Sequence, residues 1–217
     1  MSATSSEALP RSLAVLVVLA LIVSGIAPFD RITWVMEVVP AVIAVAVLVA
    51  SRQRYPLTDL LYILIALHCL VLIYGGAYTY ARVPLGFWLQ DWLGFARNPY
   101  DRLGHFMQGF VPAMVAREIL LRGAWVRGRR MAAFLCICVA LAVSACYELV
   151  EWWAALLLGQ GADEFLGTQG DQWDTQWDMC MALIGASTAM LLFAGWHDRQ
   201  IAKMNQGKPT GGAPSSA

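Results

Sequence analysis

Seven polar residues set in apolar surroundings carry the chemistry open to this sequence: Asp101, His105, Glu148, Glu151, Asp171, Asp174 and Asp178. Asp101 and His105 stand i, i+4 and share one helix face. Glu148 and Glu151 are i, i+3 within a long apolar run, and the three later aspartates form a stripe at i, i+3, i+7. An ionised carboxylate at the centre of an isolated membrane helix costs about 2.5–3.5 kcal/mol on insertion scales. Such groups persist where they face a bundle interior and are paired, protonated, hydrated or bound to a cation. Arg102 is the only arginine near enough by sequence depth, and one guanidinium cannot neutralise six carboxylates. A shared proton or a metal ion is the more economical solution. Hard oxygen donors with one imidazole suit Mg²⁺, Mn²⁺ or Zn²⁺. The expected ligands of such a divalent cation are Asp101, His105, Glu148, Asp171, Asp174 and Asp178. Glu151 is then the general base and Arg102 the anion clamp of the catalytic machinery.

Several of these residues also have purely structural readings. Asp171 fits a helix N-cap with Asp174 at N3. Asp101 could cap the helix it opens, and Glu151 could pair with Arg102. Glu37 is a further candidate member of the cluster. His68 is expected to make an ordinary interhelical hydrogen bond. Arg117 and Glu118 are expected to anchor a helix end at the interface.

The elements that must position the acids follow from composition. Of the 217 residues, 59% are hydrophobic and 14% charged, and mean hydropathy is +0.59. That marks an all-α, polytopic membrane protein of one domain. Net charge is zero, so no basic field points to nucleic acid. The five cysteines, Cys69, Cys136, Cys138, Cys146 and Cys180, lie in apolar runs and read as small buried hydrophobes. Six apolar stretches, at about 12–29, 32–50, 59–80, 101–121, 131–158 and 177–196, approach the roughly 20 residues a helix needs to cross hydrocarbon. The expected organisation is a tail at 1–11, a six-helix transmembrane bundle at 12–200 and a disordered tail at 201–217. The first span resembles a signal peptide but lacks a small-residue cleavage site, so it reads as an uncleaved helix.

Basic residues set the orientation. With the N-terminus cytoplasmic, eleven of the 15 Lys and Arg fall inside and four outside, and the loop 159–176 has none. N-in, C-in follows, which puts all seven site residues in the outer half of the bilayer, facing the periplasm or exterior. The outer segment 81–100, rich in Phe and Trp, suits an interfacial position, as an anchor or as a lateral lid. Trp152, Trp153, Trp173 and Trp177 fit an outer aromatic belt.

The stretches DRLGHFMQGFVPAMVAREILLR (101–122), YELVEWWAALLLG (147–159) and FLGTQGDQWDTQWDM (165–179) resemble the YjdF-like family of bacterial inner-membrane proteins. The resemblance implies a plasma-membrane location and marks Asp101, Arg102, His105, Glu148, Glu151, Gly170, Asp171, Asp174 and Asp178 as its signature; it names no substrate. The D-x-x-x-H, E, D-x-x-x-D order is also similar to VanZ-like membrane proteins, which typically carry an Asn after the last Asp, where this chain has Met181 or Ala182.

Three functions compete. A metal-dependent enzyme, hydrolase or transferase, would act on a lipid or lipid-linked envelope precursor. A proton- or ion-coupled transporter would use the acids and His as a relay, although no repeat or broken helix pair is visible. A non-catalytic factor would bind a lipid or a partner protein. No G-x-x-x-x-G-K-[ST], G-x-G-x-x-G, G-x-S-x-G or C-x-x-C pattern occurs.

Overall fold

The computed structural model describes residues 7–159 and 163–206, and every described element is helical. In chain order these are α1 (Ala8–Ser24), α2 (Arg31–Ser51), α3 (Asp59–Tyr78), a short 3₁₀ turn (Tyr80–Arg82), α4 (Pro84–Leu93), α5 (Tyr100–Arg122), α6 (Arg129–Leu158), α7 (Asp163–Leu166), α8 (Asp174–Thr188), a π-helical turn (Ala189–Phe193) and α9 (Ala194–Gln206). Four described helices are long and apolar enough to cross a membrane: α2, α3, α6 and the continuous run Asp174–Gln206. Helix α1 is shorter, and α5 is more polar because it carries much of the site.

Local sequence explains several boundaries. Asp30 starts α2 by accepting the Thr33 N–H at 2.7 Å, an N-cap that satisfies one orphan donor of the first turn. That same bond holds the Asp30 carboxyl below its ordinary value. Pro84 opens α4, and Gly94 closes it in the left-handed region at φ 69°, as the first and last positions of a helix favour.

The bundle is centred on α5, which packs against α3, α6 and above all α8. Small residues make that last approach possible. A Cβ on Gly109 would stand 1.9 Å from the Ala182 carbonyl oxygen, and one on Gly185 would stand 2.1 Å from the Phe106 oxygen. Ala113, Ala182, Ala186 and Ala189 are fully buried along the same seam. On the other side, α1 and α2 pack on α3. Helices α2 and α6 do not form a packed pair.

Some expected boundaries shift. The first helix begins at Ala8 rather than at residue 12, and the last runs through Gln206 rather than ending near 200. The last helix is tied down because Gln200 accepts the Leu60 N–H at 3.1 Å and Ile201 is buried. The remainder of both expected tails, 1–6 and 207–217, lies outside the described residues. Cys138 and Cys146 are exposed rather than buried, because they fall on the outward face of α6. Trp152, Trp153, Trp173 and Trp177 are exposed, as are Trp88 and Trp92 of α4, whose rings stack 6.2 Å apart.

Candidate functional site

Three helices bring four ionisable groups to one place. From α5 come Asp101 and His105, from α6 Glu148, and from α8 Asp178; all four side chains are buried. His105 is the hub. Its Nε2 lies 3.5 Å from Asp101 Oδ1 and 3.8 Å from Asp178 Oδ2, and its Nδ1 lies 3.7 Å from Glu148 Oε1. The i, i+4 spacing of Asp101 and His105 and the inward faces of α6 and α8 account for this convergence.

The distances are informative because all three exceed hydrogen-bond length. Two donors on one ion with bonds of about 2.1 Å sit about 3–4 Å apart. Asp101, His105 and Asp178 offer donor atoms within 4.8 Å of one another, and so do His105, Glu148 and Glu151. Asp101 Oδ2, Glu148 Oε1 and Asp178 Oδ1 are each buried without a hydrogen-bond partner. Three carboxylates from three helices stand around one imidazole, each with one oxygen unpartnered, and leave a large desolvation cost unmet. A shared proton or a cation would meet it.

Gln108 orients the ring. Its Oε1 lies 3.0 Å from His105 Nδ1 and only accepts, so Nδ1 is the donor. In the neutral imidazole Nε2 then carries the lone pair, on the side of Asp101 and Asp178.

The other expected site residues have different surroundings. Asp174 pairs with Arg97, which also lies 3.6 Å from Asp171 and donates to the Thr168 carbonyl at 2.6 Å. Arg102 lies 3.4 Å from Asp171 and sits over the Trp177 ring at 5.2 Å. Arg102 is therefore not the only arginine at this depth, since Arg97 reaches the same acids. Asp171 accepts the Trp173 N–H at 2.9 Å in an Asx turn, while α8 starts at Asp174. The expected cap box of Asp171 and Asp174 does not form. Asp101 likewise lies inside α5, whose N-cap is Pro99.

A cavity of about 880 Å³ adjoins the cluster and runs between α2, α3, α5 and α6. Asp101, His105 and Glu151 line its polar end together with Glu37, Tyr80 and Tyr147. Arg102, Glu148 and Asp178 are not among the lining residues, so the buried acids stand behind the wall that Asp101 and His105 form. Tyr147 Oη donates to Glu37 Oε2 at 3.4 Å, and the Tyr147 ring meets His105 edge-on at 6.4 Å. Glu37 thus belongs to this end of the bundle. His68 lines the apolar stretch, and its Nε2 is buried without the hydrogen bond expected of it. No residue of α4 lines the cavity.

Arg117 and Glu118 form a second buried cluster, at the opposite end of α5. Both are buried and so do not anchor a helix end at an interface. Glu118 accepts from Arg122 at 2.5 Å, from Thr58 Oγ1 at 2.7 Å and from His197 Nε2 at 2.9 Å. Arg117 donates to His197 Nδ1 at 3.1 Å and pairs with Asp198. Sequence reasoning missed His197 because it follows the last apolar run and lies 79 residues from Glu118.

Comparison with known proteins bears on the whole chain rather than on single residues. Residues 9–199 match the family model described as "Predicted membrane protein (DUF2238)". "Inner membrane protein YjdF" of Escherichia coli (strain K12) is 64% identical over 183 residues, 84% of this chain and 88% of that protein. No solved structure matches. The match over residues 9–199 and the identity across most of both chains settle the membership: this integral membrane protein belongs to the DUF2238 family, to which its resemblance to YjdF-like proteins pointed.

Proposed function

We propose that this is a six-span protein of the bacterial inner membrane, N-in and C-in, that holds a divalent cation in its periplasmic half. There it acts on a lipid or lipid-linked envelope precursor as a metal-dependent hydrolase or transferase. The observation that carries this is the set of three buried carboxylates around His105, each with one oxygen that has no hydrogen-bond partner. Asp101, His105 and Asp178 would hold the ion, Mg²⁺, Mn²⁺ or Zn²⁺, while Glu148 stands at the other imidazole nitrogen. When bound, such an ion polarises a phosphoryl or ester oxygen and eases ionisation of water.

Glu151 groups with His105 and Glu148 and also lines the cavity, which suits a general base working beside the ion site. Asp171, Asp174 and Arg102, expected as ligands and anion clamp, serve instead to fix the rim, because their charges are already matched. The topology is supported by the basic-residue partition and by α1 and α5 adding two helices to the four long apolar ones, and the inner-membrane location by the name of the E. coli relative. The exposed aromatics of α4 suit an outer interfacial anchor.

Metal analysis of the purified full chain, with its thermal unfolding followed in detergent, tests the ion. The expected outcome is a bound divalent cation and an unfolding midpoint that rises on adding Mg²⁺, Mn²⁺ or Zn²⁺. Absence of metal together with an unmoved midpoint would remove the proposal. A binding factor without catalysis would keep its cellular role in Glu151→Ala, whereas the enzyme would lose it. Transport has less support, because beyond Gln108 the cavity lining is apolar apart from His68, Ser51 and the inner Tyr55.

A further inference from the structure

The cavity beside the cluster names the substrate class more closely. We propose that it seats one phospholipid whose head group carries an ammonium, admitted sideways between α2 and α6, with Glu37 as the partner of that ammonium. This rests on the lipid-directed reading above and sharpens it.

Shape comes first. On α2 the lining runs from Glu37 to Ser51, which is about 21 Å of helix and longer than the roughly 15 Å half-thickness of a bilayer's hydrocarbon core. Below its polar end the wall is almost wholly aliphatic, with Leu48, Leu72, Val111 and Val115 among its residues. An acyl chain is the occupant such a bore matches.

The entrance lies where two neighbouring helices fail to meet. Helix α2 packs on α3, and α6 on α5 and α8, without α2 and α6 forming a packed pair. Val47 on one side and Val139 and Val143 on the other line the cavity and are also exposed on the bundle surface. Tyr147 and Glu37 touch across the outer end of this slot. A lipid could therefore enter from the bilayer without leaving it.

Charge then selects the head. The lining contains three carboxylates, Glu37, Asp101 and Glu151, and not one Lys or Arg among the described residues. A head bearing only negative charge would meet like charge in a low-dielectric chamber. A zwitterionic head places its phosphate toward the cation side at Asp101 and His105 and its ammonium against Glu37, which the ion site does not use. His68, whose buried Nε2 is unpartnered, lines the bore about 12 Å deeper, eight residues along α3 from Gly76, which packs on Glu37.

The test uses the full chain in nanodiscs of phosphatidylethanolamine and phosphatidylglycerol in equal parts, followed by extraction and native mass spectrometry of the retained lipid. The expected result is retained phosphatidylethanolamine enriched about tenfold over phosphatidylglycerol, the scale of one charge-assisted hydrogen bond. Glu37→Gln should abolish the preference, and Val143→Trp, at an exposed position, should lower total retained lipid by filling the slot. Equal retention of both lipids, or an undiminished preference in Glu37→Gln, overturns the proposal. Repeating the measurement after chelation separates the two claims. A preference that vanishes with the metal and ignores Glu37 overturns the ammonium contact and leaves the ion site standing. A preference that persists in a protein shown to bind no metal supports the lipid seat and removes the ion.

Discussion

Helix α5 carries two buried acid–imidazole clusters, His105 and Glu118 standing about 20 Å apart by helix rise. They have similar ingredients and opposite construction. At the Arg122 end, Glu118 is fully buried and accepts from Thr58, Arg122 and His197, while Arg117 saturates the other imidazole nitrogen. Arginine only donates, so Nδ1 of His197 accepts and Nε2 carries the hydrogen given to Glu118. No polar side-chain atom of Glu118, His197, Arg117, Arg122 or Thr58 is buried without a partner. At the Asp101 end, the acids outnumber the donors and each of three leaves an oxygen unpaired. Burial of an acid is therefore uninformative by itself. What separates a clasp from a site is whether the hydrogen-bonding inventory closes without a ligand.

The largest expected effect lies in the closed cluster. Glu118→Ala removes the common acceptor of Thr58, Arg122 and His197, leaving buried donors and a guanidinium unmatched, a loss on the scale of about 3–5 kcal/mol. Unfolding of the variant in detergent micelles should show it, with no change on adding divalent cations beyond that seen in the parent chain. A loss below about 1 kcal/mol would mean that this cluster is hydrated and dispensable, and the contrast with the Asp101 end would collapse.

How far each cluster could be read in the sequence follows from the same physics. The acids around His105 interrupt apolar runs, so their cost is visible without coordinates. The clasp at the Arg122 end is built from residues at helix ends, where charge is ordinary, and its members come from three separated stretches: Thr58, Glu118 with Arg122, and His197. Spacing along one helix cannot show such a closure. Arg97 escaped for a related reason. It lies in the aromatic segment before α5, outside any span, yet the turn at 167–173 folds back to meet it. Glu37 was legible only as an isolated acid, since its partner Tyr147 is 110 residues away. The long helices α2, α3 and α6 were plain, because apolar length alone specifies them.

Arg97 gives an intermediate test. Asp174 was expected beside Asp178 as a ligand, whereas its pairing with Arg97 groups it with the satisfied acids. Arg97→Ala should cost about 1–3 kcal/mol, the penalty for leaving a charged partner partly buried without its hydrogen bond. The change should appear as faster hydrogen exchange and proteolysis confined to 167–173, with cation affinity nearly unchanged. A collapse of cation binding equal to that of an Asp178 variant would return Asp174 to the ligand set.

The smallest expected change in stability is the one that separates the clusters most sharply. Asp178→Asn keeps shape and burial but removes one of the carboxylates crowding His105, and its amide can donate to an acid that now lacks a partner. Without added cation its stability should therefore equal or exceed that of the parent chain, in contrast to the loss at Glu118. With Mn²⁺ at a hundred times its dissociation constant the parent should gain about 2.7 kcal/mol by mass action, and the variant much less. Should Asp178→Asn destabilise the cation-free protein as severely as Glu118→Ala, the Asp101 end is a clasp of the same kind. Its orphaned oxygens would then be met by bound water, with no ion required.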